Sequence, residues 1–391
     1  MLQDRTLAYG EEVTPALLGV DALSRQKGGE EDDGLIVVTM TTTHQPHFFA
    51  SFEEARECFT ELRHGAAALP EPDRALYYQQ LCDSTLAFLR WQQAGLSLGE
   101  QLAGFLHVPA APVSDGELDG LRADMRALLT GMGYAGDLTT QCAAWEARHR
   151  VPPDEVSGTL TSLLDQAWDR TVARLPLPAP KSDGMRVLLV SGVPFNARCD
   201  YLRRTVELNI DPVLTRPALK HLAVHECYPG HYVQFKLREM WYAEGKAAAD
   251  GLLSIVNSAS SCTFEGIADN GLRVLNWLDT DDDRLSAFMT RYRAGIGAGT
   301  AWRLHALHWT QAQATDWLRT QTLVGGEGWV ANRMRFIEAP QRSVLIWSYW
   351  CGEPAVAAIW ERLPPERQGE FLRYQYGRMH SLQSIALFDH A

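Results

Sequence analysis

Residues 221–237 read HLAVHECYPGHYVQFKL, a helical stretch apart from its Pro229-Gly230 pair. Thr215 suits a helix cap and Pro217 a first turn, and residues 218–228 are then helical in character. Pro229 lacks an N–H and its ring crowds the carbonyl four residues back, which belongs to His225. Gly230 allows a backbone conformation closed to other residues. The stretch also carries His225-Glu226 and a second histidine, His231, six positions on. On an undistorted helix six residues turn a side chain through about 600°, leaving the two imidazoles roughly 120° apart. They chelate one ion only if the Pro-Gly bulges out and absorbs two residues, which restores the geometry of two histidines four apart. A bulged helix is therefore the expectation.

Given that distortion, the residue types suit a metal hydrolase. Two neutral imidazoles bind the ion, and Glu226 is placed to deprotonate a water activated by it. A third protein ligand is needed, with a fourth position left open. Downstream, SSCTFEGIADNGLRVL offers Glu265 and Asp269, four apart and on one helix face. Glu265 as ligand and Asp269 as the partner holding a ligand imidazole form a sensible pair, although the spacing does not force either role. His221 and His225 are a rival pair four apart, but Leu222 follows His221 where the chemistry needs a carboxylate, so His221 is read as structural. Cys227 is read as packed and not as a soft ligand.

The rest of the chain sets the frame. Its 391 residues carry a net charge of −12, which argues against nucleic-acid or anionic-membrane partners, since both need a basic patch. Seven scattered cysteines with no CxxC point to a reducing cytoplasm. The N-terminus shows no signal-peptide pattern, and no apolar run approaches the roughly 20 residues of a membrane span. Most of the sequence has helical periodicity. Ser51 and Glu54 form a capping-box pattern opening a helix toward His64, and further helices are expected over 75–95, 117–133 and 154–175. RLPLPAPKSDG, 174–184, is the best boundary, giving an N-terminal helical region 1–180 and a metal-binding region 181–391, or else one continuous helical domain with a cleft. MRVLLVSGVP and TVELNID are the only convincing strands. Long helical stretches follow around 290–320, 343–362 and 366–384. The expected class is mainly α, with a short β-sheet beside the metal-binding helix.

HECYPGH, FEG, LHALHWT and RMRFIEAPQRSVLIWSYWCG occur in that order. Together they resemble the bacterial family catalogued as domain of unknown function 885, which is similar to the helical zinc metallopeptidases around carboxypeptidase Taq and neurolysin. The family pattern is HE-x-x-PGHH-x-Q, then EGWA, then His-x-x-x-Trp-Thr, then Arg, Pro and Tyr-x-x-Gly. It is matched by His225, Glu226, Pro229, Gly230, His231, Gln234, Glu265, Gly266, Ala268, His305, Trp309, Thr310, Arg335, Pro340, Tyr349 and Gly352. Tyr232 replaces a second adjacent histidine and Ile267 a tryptophan. The resemblance covers about 185–391, and the chain is shorter than the family norm on its N-terminal side.

The resemblance implies a gluzincin-type zinc hydrolase acting on short peptides, a carboxypeptidase or oligopeptidase, with a peptide or small amide as its partner. His225, His231 and Glu265 would bind Zn2+ and Glu226 would be the general base. Tyr349 is the first choice to stabilise the tetrahedral oxyanion and His305 the second. Asn209 would bind substrate backbone at a sheet edge, and Arg335 a terminal carboxylate. Two alternatives stand beside this. Two histidines and one carboxylate also make the non-heme iron triad, which leaves Glu226 without a role. A non-catalytic metal-bound scaffold is the other. His44 and His47 lack a companion acid and suit a loop, and Asp279–Asp283 has Arg284 where a calcium loop needs Gly, so it is read as a solvated turn.

Overall fold

The computed structural model describes residues 2–26, 34–177, 181 and 183–390, so the boundary segment 174–184 lies partly outside them. The protein is mainly helical, with 65% helix against 6% strand. Its helices stop where local chemistry stops them. Helix Phe52–Ala66 is capped by Ser51, whose hydroxyl accepts from the Glu54 N–H at 3.2 Å. The expected box closes only halfway, because the Glu54 carboxylate takes the N–H of Ala50 instead of that of Ser51. Helix Pro72–Ala94 ends at Gly95, and helix Asp115–Gly131 opens with a complete box from Ser114 and Glu117. Helix Val156–Val172 buries Leu160, Leu163, Leu164, Ala167 and Trp168, the stripe its spacing predicts.

The chain folds into two compact units that are interleaved along the sequence. One comprises Met1–Ala110, Gln234–Ile267 and Cys351–Ala391; the other comprises Ala111–Val233 and Ala268–Trp350. The division expected near residue 180 is thus not where the units part: 174–184 lies inside the second. Helices His231–Ala243, Ser261–Asp269 and Ile346–Arg362 each run unbroken past a boundary.

The first unit contains helices Asp4–Gln26, Phe52–Ala66 and Pro72–Ala94, and a two-stranded antiparallel sheet. In that sheet Ile36–Thr39 pairs with Leu253–Ile255, with Ile36 opposite Ile255. Sequence periodicity missed this sheet, because each strand is only three or four residues long and its partner lies far away in the chain. The second unit holds the expected strands, Arg186–Val190 and Thr205–Asn209, paired in parallel, and adds Ala197–Asp200 antiparallel on the other side of Thr205–Asn209. Thr205–Asn209 is therefore the central strand and is buried throughout.

The long helical stretches resolve into shorter pieces. The one expected over 290–320 is broken after helix Asp281–His305, and His308 takes a positive φ of 56° before helix Gln311–Gln321 begins. The acidic run 279–283 is a helix start and no solvated turn. Thr280 and Asp283 cap each other there, and the 5% exposed Asp283 also receives the Lys220 ammonium at 2.8 Å.

Candidate metal centre

The HECYPGH segment is two helices and a break, where one bulged helix was expected. Helix Arg216–Glu226 starts at Thr215, whose hydroxyl accepts from the Ala218 N–H, and it stops at Glu226. Helix His231–Ala243 starts at the second histidine. Between them the N–H groups of Cys227 and Tyr228 both turn back to the Ala223 carbonyl, and that of Gly230 donates to the Val224 carbonyl at 2.8 Å. The break therefore leaves few backbone donors idle. Glycine is required at 230 for space and not for its dihedral freedom. A Cβ there would lie 1.8 Å from the His225 carbonyl oxygen.

Packing fixes this turn. Tyr228 hydrogen-bonds the Asp183 carboxylate and meets Trp168 edge-on with ring centroids 5.2 Å apart. Lys220, on the helix that bears His225, is tied to Asp283 as described above. Nothing local in the sequence pairs these two residues, which are 63 positions apart. The outcome is that the rings of His225 and His231 stand 4.7 Å apart, nearly perpendicular at 83°.

Asp269 organises one of them. Its Oδ1 accepts from Nδ1 of His225 at 2.8 Å and lies 3.4 Å from Nε2 of His221. A carboxylate only accepts, so Nδ1 of His225 carries the proton and Nε2 keeps its lone pair. Burial opposes a charge on Asp269, but the neighbouring His225 and His221 outweigh it and hold this carboxyl well below the usual range. His221 is thus a structural neighbour that shares the acid, its ring 5.6 Å from that of His225.

Glu265 precedes Asp269 by one turn of helix Ser261–Asp269, so both carboxylates project from the same face. One ligand atom from each of His225, His231 and Glu265 falls within a mutual 4.8 Å, and all three residues are buried. Among the described residues His221, His225 and Asp269 form a second such group, centred on the Asp269 contact. Gly266 and Gly352 explain how closely the Glu265 helix is packed: a Cβ on Gly266 would lie 2.3 Å from the Gly352 carbonyl oxygen, and one on Gly352 1.9 Å from that of Cys262.

The donor set suits zinc. Two imidazoles and a carboxylate, one imidazole held by an acid at its far nitrogen, are what a three-ligand zinc site with an open position uses. Glu226, the last residue of its helix, is 5% exposed. Cys227 is fully buried, and burial, reinforced by Cys199, pushes its thiol far up.

The remaining expected site residues divide. The Tyr349 ring lies 6.4 Å from that of His225, inclined by only 27°, while its neighbours Trp347 and Trp350 are packed into the core. His305 stands at the end of its helix and donates from Nε2 to the Ile337 carbonyl at 2.8 Å. Asn209 is a correction. It is fully buried in the central strand, where its amide donates toward the Val193 and Phe195 carbonyls and accepts from the Asp211 N–H, leaving nothing for a substrate. Arg335 differs: its side chain is exposed, reaches the same Val193 carbonyl at 3.4 Å and lies 3.8 Å from the Asp211 carboxylate. Both residues brace the loop after strand Arg186–Val190.

No protein-family model matches the chain, and no curated protein matches it. Solved structures do. One is titled "the crystal structure of the putative lipoprotein from Colwellia psychrerythraea"; it superposes with a TM-score of 0.57 at 14% identity over 87% of this chain and 67% of that one. Another is titled "the structure of a putative lipoprotein of unknown function from Shewanella oneidensis" and gives a TM-score of 0.50 at 12% identity, over 87% of this chain and 71% of that one. At these identities the likeness is one of fold alone. No helix among the described residues is long and apolar enough to cross a membrane.

Proposed function

We propose that the protein is a zinc-dependent hydrolase of amide bonds, with short peptides as substrates. The observation that carries this reading is the grouping of His225, His231 and Glu265 with Asp269 on the far nitrogen of His225. His225, His231 and Glu265 would hold the ion, which when bound polarises the scissile carbonyl and acidifies the attacking water.

The chain's own groups supply the remaining steps. Asp269 keeps His225 in the tautomer that presents Nε2. Glu226, beside a ligand and buried, takes the proton of the attacking water and passes it to the leaving nitrogen. Tyr349, alongside His225, donates its phenolic proton to the oxyanion as the carbonyl becomes tetrahedral. Burial of Glu226 and of all three ligands limits the water that competes with substrate.

A peptide-library digest tests the reading. The zinc-loaded protein is expected to release products that mass spectrometry identifies, and Glu226→Gln to bind zinc yet release none. Products formed equally by both variants would refute the assigned base. Failure of the loaded wild type on all peptides, with activity on another amide, would move the substrate class and leave the chemistry.

A further inference from the structure

Arg238 lies on helix His231–Ala243, one turn beyond Gln234, and is only 2% exposed. Its Nη2 donates to the Gln234 side-chain oxygen at 3.2 Å, and its guanidinium sits 5.4 Å from the Phe264 ring centre. Its Nε and Nη1 have no hydrogen-bond partner among the described residues. The acid near it, Asp250, is already engaged. Both carboxylate oxygens accept from Arg74 at 2.9 Å, and one also takes the Tyr78 hydroxyl at 2.6 Å. Two buried guanidinia therefore share one carboxylate. Asp73, the other buried acid of this region, is paired with Arg378 at 2.9 Å.

A contrast shows what is missing. Arg293 is less enclosed, and it donates to the Val324 carbonyl and has Glu146 beside it. Among the described residues Arg238 has no such acid of its own. Burial lowers its pKa to about 10, which leaves it charged at neutral pH. A buried charge without a counter-ion is strongly destabilising, and its unmade hydrogen bonds add to the cost. Water would satisfy the donors but carries no charge. A small anion does both. Tyr77 and Tyr376, both fully buried and within electrostatic range of Arg238, complete the surroundings. The Tyr77 hydroxyl, though near Ser260, makes no hydrogen bond of normal geometry.

We propose that Arg238 anchors an internal site for a small monovalent anion, of the size and charge of a halide. The anion neutralises the guanidinium and accepts its idle N–H groups. The site also bears on Gln234, which holds the Phe264 carbonyl at 2.9 Å, next to Glu265 in sequence. The inference stands independently of the metal reading.

Thermal unfolding of the full chain tests it, in mixtures of sodium chloride and sodium gluconate at constant ionic strength, with EDTA present so that no metal contributes. The melting temperature is expected to stay flat at low chloride and then to rise with the logarithm of chloride concentration, and bromide should substitute. Arg238→Met should lose that dependence. Should this variant fail to fold, chlorine-35 line broadening on the wild type, reversed by bromide, gives the same answer. Equal melting temperatures in chloride and gluconate, with no line broadening, would overturn the proposal and leave water as the occupant. An unchanged chloride response in folded Arg238→Met would overturn it too.

Discussion

Gly230→Ala perturbs the turn on which the histidine pair depends, and its effect follows from the geometry. The added Cβ would sit 1.8 Å from the His225 carbonyl oxygen and 2.4 Å from that of Val224. Real Cβ contacts essentially never fall below 3.0 Å, so at least 3.0 − 1.8 = 1.2 Å of movement is needed. The obstacles are backbone atoms, and no rotamer change removes them. The movement falls on His225 itself and on the residue directly before His231. Metal–ligand distances tolerate only about ±0.2 Å, so this displacement is several times what a site absorbs. Zinc affinity should fall at least ~100-fold, about 2.7 kcal/mol. The metal-free fold should lose about 1–3 kcal/mol from overpacking. Competition with a chromophoric chelator measures the first quantity and urea unfolding in EDTA the second. Gly158→Ala, on a helix with open space around it, serves as the control: it should leave zinc affinity unchanged and raise stability by no more than about 1 kcal/mol. Zinc binding by Gly230→Ala within threefold of the wild type would refute the reasoning.

Other predictions follow from single contacts. Asp269→Asn, which keeps the shape but loses the charge on the His225 Nδ1–H, should weaken zinc by about 10–100-fold in the same competition assay. Tyr349→Phe should lower kcat by about 100-fold while metal content and KM stay near wild type; an unchanged kcat would remove the phenol from the mechanism. Lys220→Met strands the buried Asp283 and should cost about 3 kcal/mol in urea unfolding, much of it recovered in the double variant with Asp283→Asn. His380 gives a pH dependence. Burial, helped by Arg378, depresses it far below its ordinary 6.5, so the folded state binds fewer protons there than the unfolded chain. Its contribution is complete above about pH 6.5 and is lost as the pH falls toward the folded value, at up to about 1.4 kcal/mol per unit. His380→Gln should remove that part of the slope in unfolding measured from pH 7 to 5.

The helical class and most helix positions were legible, because apolar spacing and caps are local. Ser51 and Thr215 mark starts that the structure keeps. The small sheet joining Ile36–Thr39 to Leu253–Ile255 was not legible, and neither were the interleaved units, since both depend on partners distant in the chain. The proximity of His225 and His231 could be argued from Pro229-Gly230, although a full break replaces the expected bulge. The shared face of Glu265 and Asp269 follows from a spacing of four. Asn209 misled because a polar residue near a strand end looks the same whether it meets substrate or braces a loop. Only its burial against the Val193 and Phe195 carbonyls distinguishes the two roles. The tie between Lys220 and Asp283, which anchors the first histidine helix, left no signal that one sequence could show.

Elemental mass spectrometry on the purified wild type, Glu226→Gln and Glu265→Ala addresses the metal centre most directly. The account predicts close to one zinc per chain in the first two proteins and its loss in the third. Iron in place of zinc would favour an oxygenase-type triad. No bound metal in the wild type after zinc is supplied would contradict the account.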